Sequence, residues 1–291
     1  MRLISWAEIS DKSDKLRNDF VQKYLEKSGI ENSLEYIETP LSNLKEATLE
    51  AQNKFDYIRV HPNFGIDSLH LFAGIPSEMM TVGAMDAWIR ADKKKWWPRN
   101  FYFKAFHGVI SKQGSKINLN SEVLIIGTGA VAKAFLVGFV KLGFKKINIS
   151  STMDEAAQEF VESSKQFFFD VKLSYVPQSR LVTLPGVHGI MVNTTPIDKN
   201  SEMIEDLSYF NFLQKSGLVI DANLVPLDSL LLTEAISVGA NIIPGYEFMS
   251  AADALWMQEL SGKKIQIEDY TSYLLEQIQN QNPETSVDNL S

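Results

Sequence analysis

Residues 123–135 read VLIIGTGAVAKAF, an apolar run that stops at a glycine and continues into small residues typical of a helix. The glycines form the pattern Gly127-x-Gly129-x-x-Ala132. In such a turn the first glycine allows a sharp bend, the second lets a pyrophosphate approach the backbone, and the third small residue lets helix and strand pack closely. Amides at the helix start then face the phosphate. The stretch therefore predicts a dinucleotide-binding turn; the alternative is a structural turn that keeps the shape without the ligand.

The residues around this turn form a βαβ pattern of the usual length, roughly 30 residues. A buried strand at 123–126 precedes the turn, Gly143 ends the helix, and a second strand begins at Ile147. Further strands are predicted at 171–176, 189–195, 217–223 and 240–245, followed by helical segments at 249–262 and 268–281. The second half of the chain is therefore predicted to be an α/β unit built on this turn.

The first hundred residues also alternate between strand-like and helix-like segments. The predicted elements are, in order, a strand at 2–9, a helix at 13–30, a strand at 34–40, a helix at 41–54 and a strand at 55–62. This alternation favours a mostly parallel sheet. Residues 81–103 differ, because a charged turn separates two aromatic strand-like pieces, which predicts a hairpin. A helix at 103–114 is expected to follow it.

Composition limits the class of protein. The chain has 291 residues, of which 45% are hydrophobic and 22% charged, as is normal for a soluble globular protein. A net charge of −8 disfavours a nucleic-acid or anionic-membrane partner, since both need a cationic face. No apolar stretch approaches the roughly 20 residues of a membrane span, and the first residues lack a secretion signal. We therefore expect a cytoplasmic protein.

No metal site is predicted. The absence of cysteine excludes disulfides, thiolate nucleophiles and cysteine-based zinc sites. His70 and His188 have no partners at metal-ligand spacing.

The cofactor preference stays open at the level of the sequence. In a dinucleotide-binding unit, an acidic residue at the end of the second strand binds the ribose 2′-hydroxyl of NAD, whereas an arginine accepts the 2′-phosphate of NADP. The corresponding residues here, Ser150 to Thr152, are neutral, and Asp154 comes late. Either NADP or NAD therefore fits the pattern.

Taken together, these motifs resemble those of shikimate dehydrogenases and their relatives over nearly the whole chain. GTGAVAKA at 127–134 looks like the family's glycine loop, and VNTTP at 192–196 looks like its Asn-x-Thr-Pro motif. Residues 219–262 match the family's segment around Asp-x-x-Tyr-x-Pro without a gap, including Asp221 and Pro226. The resemblance implies NAD(P)-dependent oxidation or reduction of a small-molecule substrate, an enzyme of aromatic amino acid biosynthesis type, and a monomer or homodimer.

The resemblance also implies an architecture. It predicts an α/β substrate domain at 1–105, a Rossmann-type dinucleotide-binding domain at 106–245, helices at 246–280 that return to the first domain, and a flexible tail at 281–291. The active site is expected in the cleft between the domains. The residues implied in cofactor binding are Gly127, Thr128, Gly129, Ala130, Val131, Ser151, Thr152, Asn193, Thr194, Thr195 and Gly245.

The chain departs from the family at the two residues that handle the proton. The family's catalytic Lys position is occupied by Gly65, and the Asp position by Tyr102. In the family the Lys polarises the reacting oxygen and handles its proton, and the Asp orients both the Lys and the reacting hydroxyl. A glycine can do neither, whereas a tyrosine, with an unperturbed pKa of about 10, could donate or accept a proton.

The substrate pocket departs at further positions. Asp86 stands where the family has a substrate-binding Asn, Leu224 where it has a Tyr, and Ala252 where it has a Gln. Residues 13–18 keep the family's Ser and Asn as Ser13 and Asn18, with Asp14 and Arg17 in place of Pro and His. Losing these groups together indicates a pocket that has been rebuilt or abandoned.

Four residues are candidates for new catalytic or substrate-binding roles. Tyr102 and His61 are the candidate catalytic groups, although a single His in a loop is often a surface or packing residue. Ser13 and Asp86 are candidates for binding substrate hydroxyls, and Ser13 is as plausibly a helix cap. Lys104 follows Tyr102 by two residues, a spacing that points the two side chains in different directions on a helix.

Two functions follow from this pattern. The first is an NAD(P)-dependent oxidoreductase acting on a small cyclic polyol or keto acid other than shikimate. The alternative is a catalytically silent relative that binds a nucleotide or metabolite as a sensor or partner protein. If Tyr102 points into the hydrophobic core instead of the cleft, its replacement of the family Asp is a matter of packing and the pocket has been abandoned.

Overall fold

The computed structural model describes residues 3–12, 15–71, 74–92, 95–114, 117–197 and 202–281. The chain divides into two compact units. Unit 1 comprises the described residues within 1–105 and 250–277, and unit 2 those within 106–249 and 278–281. The predicted tail lies outside the described residues, apart from Gln281.

Unit 1 contains a five-stranded sheet. Its strands are β1 (Ile4–Ser10), β2 (Asn32–Glu38), β3 (Tyr57–Val60), β4 (Ala87–Asp92) and β5 (Lys95–Arg99). They lie in the order β2-β1-β3-β4-β5. β1 pairs in parallel with both β2 and β3, as the alternation of strands and helices predicts. β4 and β5 form the predicted antiparallel hairpin.

Helices cover the sheet of unit 1. They are α1 (Lys15–Lys27), α2 (Leu44–Lys54), α3 (Gly65–Leu69), α4 (Ser77–Val82) and α5 (Phe101–Ser111). α1, predicted as a helix at 13–30, buries Phe20, Val21 and Leu25. α5 begins two residues before the helix predicted at 103–114.

Unit 2 is a six-stranded parallel sheet. Its strands are β6 (Glu122–Ile126), β7 (Lys146–Ser150), β8 (Lys172–Tyr175), β9 (His188–Asn193), β10 (Leu213–Asp221) and β11 (Asn241–Ile243). Its helices are α6 (Ala130–Leu142), α7 (Asp154–Lys165), α8 (Glu202–Ser208) and α9 (Leu230–Ser237). Two more helices, α10 (Gly245–Ser261) and α11 (Ile267–Gln281), complete the chain.

The order of the strands in unit 2 is β8-β7-β6-β9-β10-β11. Numbered within the unit, this is the order 3-2-1-4-5-6 of a Rossmann sheet, with every neighbouring pair parallel. The strand order reverses between β6 and β9. Ligands of such sheets bind beyond the carboxyl ends of the strands at this switch point.

Residues from both ends of the chain share the core of unit 1. Trp256 on α10 is buried, and its ring centroid lies 5.8 Å from that of Trp6 on β1 and 5.7 Å from that of Phe101 on α5. This packing explains why the segment 250–277 belongs with the first hundred residues.

Within the described part of the chain, none of the helices has the length and apolar character needed to cross a membrane.

Candidate functional site

The glycine turn follows β6 in unit 2. Gly127 has a φ of +113°, a left-handed conformation that favours glycine. A Cβ on Gly127 would lie 2.4 Å from the hydroxyl oxygens of both Thr194 and Thr195. The Gly127 amide donates to the Ser150 carbonyl at 2.8 Å. The first glycine is therefore required by backbone conformation and by close packing against the segment after β9.

The second glycine leaves the start of α6 open. Gly129 is the residue before the helix, in an extended conformation, and it has no side chain to cap the helix amides. A Cβ built on Gly129 would meet no atom within 4 Å. Amides at a helix start carry a partial positive charge and bind phosphate groups. The start of α6 at Gly129 is therefore open.

The segment after β9 is fixed against this turn. The Thr194 amide and hydroxyl both donate to the Ile126 carbonyl, at 2.9 and 2.8 Å. Asn193 accepts a hydrogen bond from the Thr195 amide at 3.1 Å and donates one to Asp221 at 3.2 Å. The predicted cofactor residues after β6 and after β9 are thus brought together at the switch point of the sheet.

Asp221, at the end of β10, organises the polar groups around this segment. Its carboxylate accepts hydrogen bonds from Asn223 and Ser229, each at 2.7 Å. Burial raises the pKa of Asp221, and these hydrogen bonds oppose that shift. Gly245 packs closely against this network, because a Cβ there would lie 1.7 Å from the Asn223 carbonyl oxygen. The family-like motif around Asp221 therefore has a clear structural role.

Among the remaining predicted cofactor residues, Ala130 and Val131 are buried in the first turn of α6. Thr128 is partly exposed in the turn itself, and Thr152 is exposed after β7. Ser151 is buried, and its hydroxyl accepts a hydrogen bond from the Met153 amide at 3.3 Å. Cofactor binding by these residues stays a prediction.

A buried ionic cluster occupies unit 1. Arg17 on α1 donates two hydrogen bonds to Asp253 on α10, at 2.7 and 3.1 Å. Arg59 on β3 donates to the same carboxylate, which is 0% exposed. Burial opposes ionisation of Asp253, but the two guanidinium groups outweigh it and hold the pKa of Asp253 below its usual value. We call these three residues the Arg–Asp–Arg cluster.

Tyr102 contacts this cluster. Its side chain is 2% exposed, and its hydroxyl accepts a hydrogen bond from Arg17 at 2.7 Å. Burial raises the pKa of Tyr102, while Arg17 and Arg59 partly oppose the shift. Tyr102 thus lies in the interior of unit 1, where it has a cationic partner. Its predicted catalytic role stays a prediction.

Asp86 caps the helix that carries Tyr102. One carboxylate oxygen accepts hydrogen bonds from the amides of Phe101 and Tyr102, at 2.7 and 3.1 Å. The Asn100 side chain accepts from the Phe103 amide at 2.8 Å. Burial raises the pKa of Asp86 to about 6, although both amides oppose the shift. The structure therefore gives Asp86 a structural contact, and substrate binding stays a prediction.

Two other candidate positions of unit 1 lie near Asp86 in the backbone, because the Met85 amide donates to the Gly65 carbonyl and the Val60 amide to the Asp86 carbonyl. His61 precedes a short turn at 62–64, and its Nδ1 accepts a hydrogen bond from the Asn63 amide at 3.3 Å. Gly65 is buried at the start of α3. Lys104 is exposed, with its ammonium group 5.0 Å from the Phe101 ring centroid. Ser13 lies outside the described residues.

Two members of the Arg–Asp–Arg cluster, Arg59 and Asp253, were not predicted from the sequence. Asp253 lies 236 residues from Arg17 and 194 from Arg59. No short motif links residues this far apart. The available signals were Arg17, which stands in place of the family's His, and the position of Asp253 directly after the Ala252 that replaces the family's Gln.

Fold and site define a two-unit α/β protein whose second unit has the strand order of a Rossmann sheet. No family model matches the chain. Among curated proteins, it is 26% identical over 158 residues to the shikimate dehydrogenase (NADP(+)) of Gloeothece citriformis, covering 52% of this chain and 55% of that protein. It is 31% identical over 130 residues to the same-named protein of Nitrosopumilus maritimus, covering 45% and 46%. The chain thus spans about half the length of these relatives.

Solved structures share the fold over nearly the whole chain. Thermus thermophilus shikimate 5-dehydrogenase in complex with shikimate superposes with a TM-score of 0.75 at 18% identity, covering 94% of this chain and 98% of that one. Corynebacterium glutamicum quinate dehydrogenase in complex with NAD gives 0.76 at 15% identity, covering 94% and 98%. The 5-ketofructose reductase of a Gluconobacter strain gives 0.75 at 16% identity, covering 95% and 99%. The predicted resemblance to shikimate and quinate dehydrogenases is thus found in curated relatives and in solved structures, and the predicted α/β fold is confirmed.

Proposed function

We propose that this protein is an NAD(P)-dependent oxidoreductase that acts on a small cyclic polyol or keto acid other than shikimate. The observation that carries the proposal is the open glycine turn at the switch point of the unit 2 sheet. Unit 2 is the proposed cofactor domain and unit 1 the proposed substrate domain. The curated relatives that are named as NADP(+)-dependent shikimate dehydrogenases support this assignment.

The residues of unit 2 fit a dinucleotide. The uncapped first turn of α6 offers amides to a pyrophosphate, and Gly129 leaves room for it. Asn193 and Thr195, fixed by Asp221 and Asn223, would line the nicotinamide half. A bound nicotinamide cofactor supplies hydride transfer. The protein's contribution is to hold the cofactor and to manage the substrate's proton.

Proton handling in unit 1 must differ from that of the family. Gly65 brings no ammonium group to the family's Lys position. Burial raises the pKa of Tyr102, so this tyrosine keeps its proton at neutral pH and is the proposed proton donor when a carbonyl is reduced.

A second candidate function has its own support. The Tyr102 hydroxyl is engaged by Arg17, and the Asp86 carboxylate caps α5. If both residues serve only the stability of unit 1, the protein is a catalytically silent nucleotide-binding relative. It would then bind dinucleotide without turnover.

Calorimetric titration with NAD and with NADP tests the cofactor site. The informative variant is Gly129→Asp, because aspartate is a favourable helix cap yet places a negative charge where the pyrophosphate would bind. Gly108→Asp is the charge-matched control, on an exposed part of α5 with open space around it. We expect the wild type and the control to bind and Gly129→Asp to lose binding with its melting temperature retained. Absence of binding by the wild type to both nucleotides would refute the proposal.

Turnover separates the two candidate functions. The purified protein is incubated with NADH or NADPH and a panel of cyclic ketones and keto acids, and the loss of reduced nicotinamide absorbance is followed. Oxidoreductase activity predicts turnover that Tyr102→Phe abolishes while cofactor affinity is kept. Nucleotide binding without turnover of any compound would favour the silent relative.

A further inference from the structure

The end of β7 lies against the phosphate turn. In a Rossmann sheet, the end of this second strand is where the adenosine ribose is recognised. Here the last residue of β7, Ser150, accepts a hydrogen bond from the Gly127 amide at 2.8 Å. A nucleotide bound at the glycine turn would therefore present its ribose to the residues that follow Ser150.

Residues 151–155, which follow Ser150, include two acidic side chains and no basic one. Ser151 and Thr152 are neutral, and the first turn of α7 contains Asp154 and Glu155. The Ser150 hydroxyl at the same strand end is buried and has no hydrogen-bond partner among the described residues. The surroundings therefore suit a neutral hydroxyl group better than a phosphate.

Asp154 lies at the carboxyl end of the sheet. It is the first residue of α7, four residues after β7 ends at Ser150, and it is half-buried. Tyr175, the last residue of β8, lies beside Ile149 of β7 in the sheet register. Burial raises the pKa of Tyr175, and the Asp154 carboxylate raises it further. Asp154 is therefore placed at the start of the helix that follows β7, on the side of the sheet where the ribose would lie.

Lys133, in the first half of α6, contacts a residue in the second half of α7. The Lys133 ammonium group lies 4.9 Å from the centroid of the Phe160 ring. Phe160 is six residues beyond Asp154, which is about 9 Å along the axis of α7. Lys133 is therefore engaged further along α7, away from its first turn.

We propose that the cofactor site selects NAD over NADP, and that Asp154 is the residue that determines this choice. The proposal rests on the dinucleotide site proposed above. The Asp154 carboxylate would accept a hydrogen bond from the ribose 2′-hydroxyl of NAD. A 2′-phosphate, which carries a charge of about −1.5 to −2 at neutral pH, would be repelled by Asp154 and Glu155. In this respect the chain departs from the relatives named as NADP(+)-dependent.

The test compares the affinities of NAD and NADP by calorimetry at low and high salt. We expect the wild type to bind NAD at least about ten-fold more tightly than NADP at low salt, with the ratio falling as salt screens the repulsion. Asp154→Asn should bring the ratio close to one. Ser151→Arg combined with Asp154→Asn should reverse it. Glu162→Gln, an exposed acid on the same helix two turns away, is the control and should leave the ratio unchanged.

The outcomes distinguish this inference from the proposed function. Equal or tighter binding of NADP by the wild type would overturn the inference and leave the dinucleotide site standing. An unchanged ratio in Asp154→Asn would overturn the assignment to Asp154. Failure of both nucleotides to bind would overturn the proposed function and the inference with it.

Discussion

Removing Asp253 is expected to destabilise unit 1 severely. In the Arg–Asp–Arg cluster the Asp253 carboxylate, 0% exposed, pairs directly with both Arg17 and Arg59, which are themselves buried. In Asp253→Ala two guanidinium groups would remain in the interior without their counter-ion. Charges of this kind are costly because they lose hydration without regaining an attractive partner.

The expected loss can be estimated. Removing one partner of a buried ion pair typically costs about 3–5 kcal/mol. A domain is stable by about 5–15 kcal/mol in total, so the loss is a large share. With a urea dependence of about 2 kcal/mol per molar, the unfolding midpoint of unit 1 should fall by about 2 M.

The tryptophans make the assay specific to unit 1. All five tryptophans of the chain, at positions 6, 88, 96, 97 and 256, fall within unit 1. Urea unfolding followed by tryptophan fluorescence therefore reports this unit, while far-ultraviolet circular dichroism reports both. We expect the fluorescence transition of Asp253→Ala to move to lower urea and to separate from the dichroism transition.

The control is an ion pair of the same unit near the surface. Asp56 pairs with Arg90 at 2.8 Å, with 40% of the Asp56 side chain exposed. Asp56→Ala should cost about 1 kcal/mol or less, because solvent screens such pairs. If Asp253→Ala shifts the fluorescence midpoint no more than Asp56→Ala does, the buried cluster does not stabilise unit 1 and the reasoning is wrong.

Three further predictions concern single groups. Asp86 binds its proton more tightly in the folded protein, with a pKa of about 6, than in the unfolded chain, so its contribution to unit 1 stability should fall by about 2 kcal/mol as pH rises from 4 to 7. Asp86→Asn should remove this slope from fluorescence-monitored unfolding, and an unchanged slope would contradict the assignment. Tyr102→Phe should cost about 1.5–3 kcal/mol in the same assay, since it leaves a buried guanidinium N–H unpaired; no loss would mean that the hydrogen bond is unimportant. Gly245→Ala should lower the melting temperature sharply, because its Cβ would overlap the Asn223 carbonyl. The control Gly108→Ala, on an exposed helical position with open space around it, should stabilise the protein by up to about 1 kcal/mol. Similar melting temperatures of the two variants would argue against the close packing at Gly245.

Local patterns in the sequence were enough to predict the first βαβ segment of unit 2 and its later strands, but not the helices α7, α8 and α9. The apolar run before Gly127, the small residues after it and the spacing to Ile147 are each decided by neighbours in the chain, and the structure has the strand, turn, helix and strand in that order. The hairpin of β4 and β5 was predictable for the same reason, since its charged turn and alternating aromatics are contiguous.

The interior of unit 1 was not predictable in this way. Arg17, Arg59 and Asp253 each read as ordinary charged residues, which are usually solvent-exposed. Their burial follows from long-range packing that brings α10 onto the first sheet, a contact without a sequence signature. Resemblance to a family identified which groups are lost at Gly65 and Tyr102, but it did not reveal that an internal ion cluster contacts Tyr102.

We propose that the backbone amides after β6 bind the pyrophosphate of a dinucleotide. Hydrogen–deuterium exchange with and without NAD tests this claim most directly, because it reports on the amides themselves. We expect amide exchange to slow on NAD addition in peptides that cover residues 127–132 and 193–195. The Gly129→Asp variant should show no such change. Unchanged exchange of these peptides at saturating NAD, with or without protection elsewhere, would contradict it.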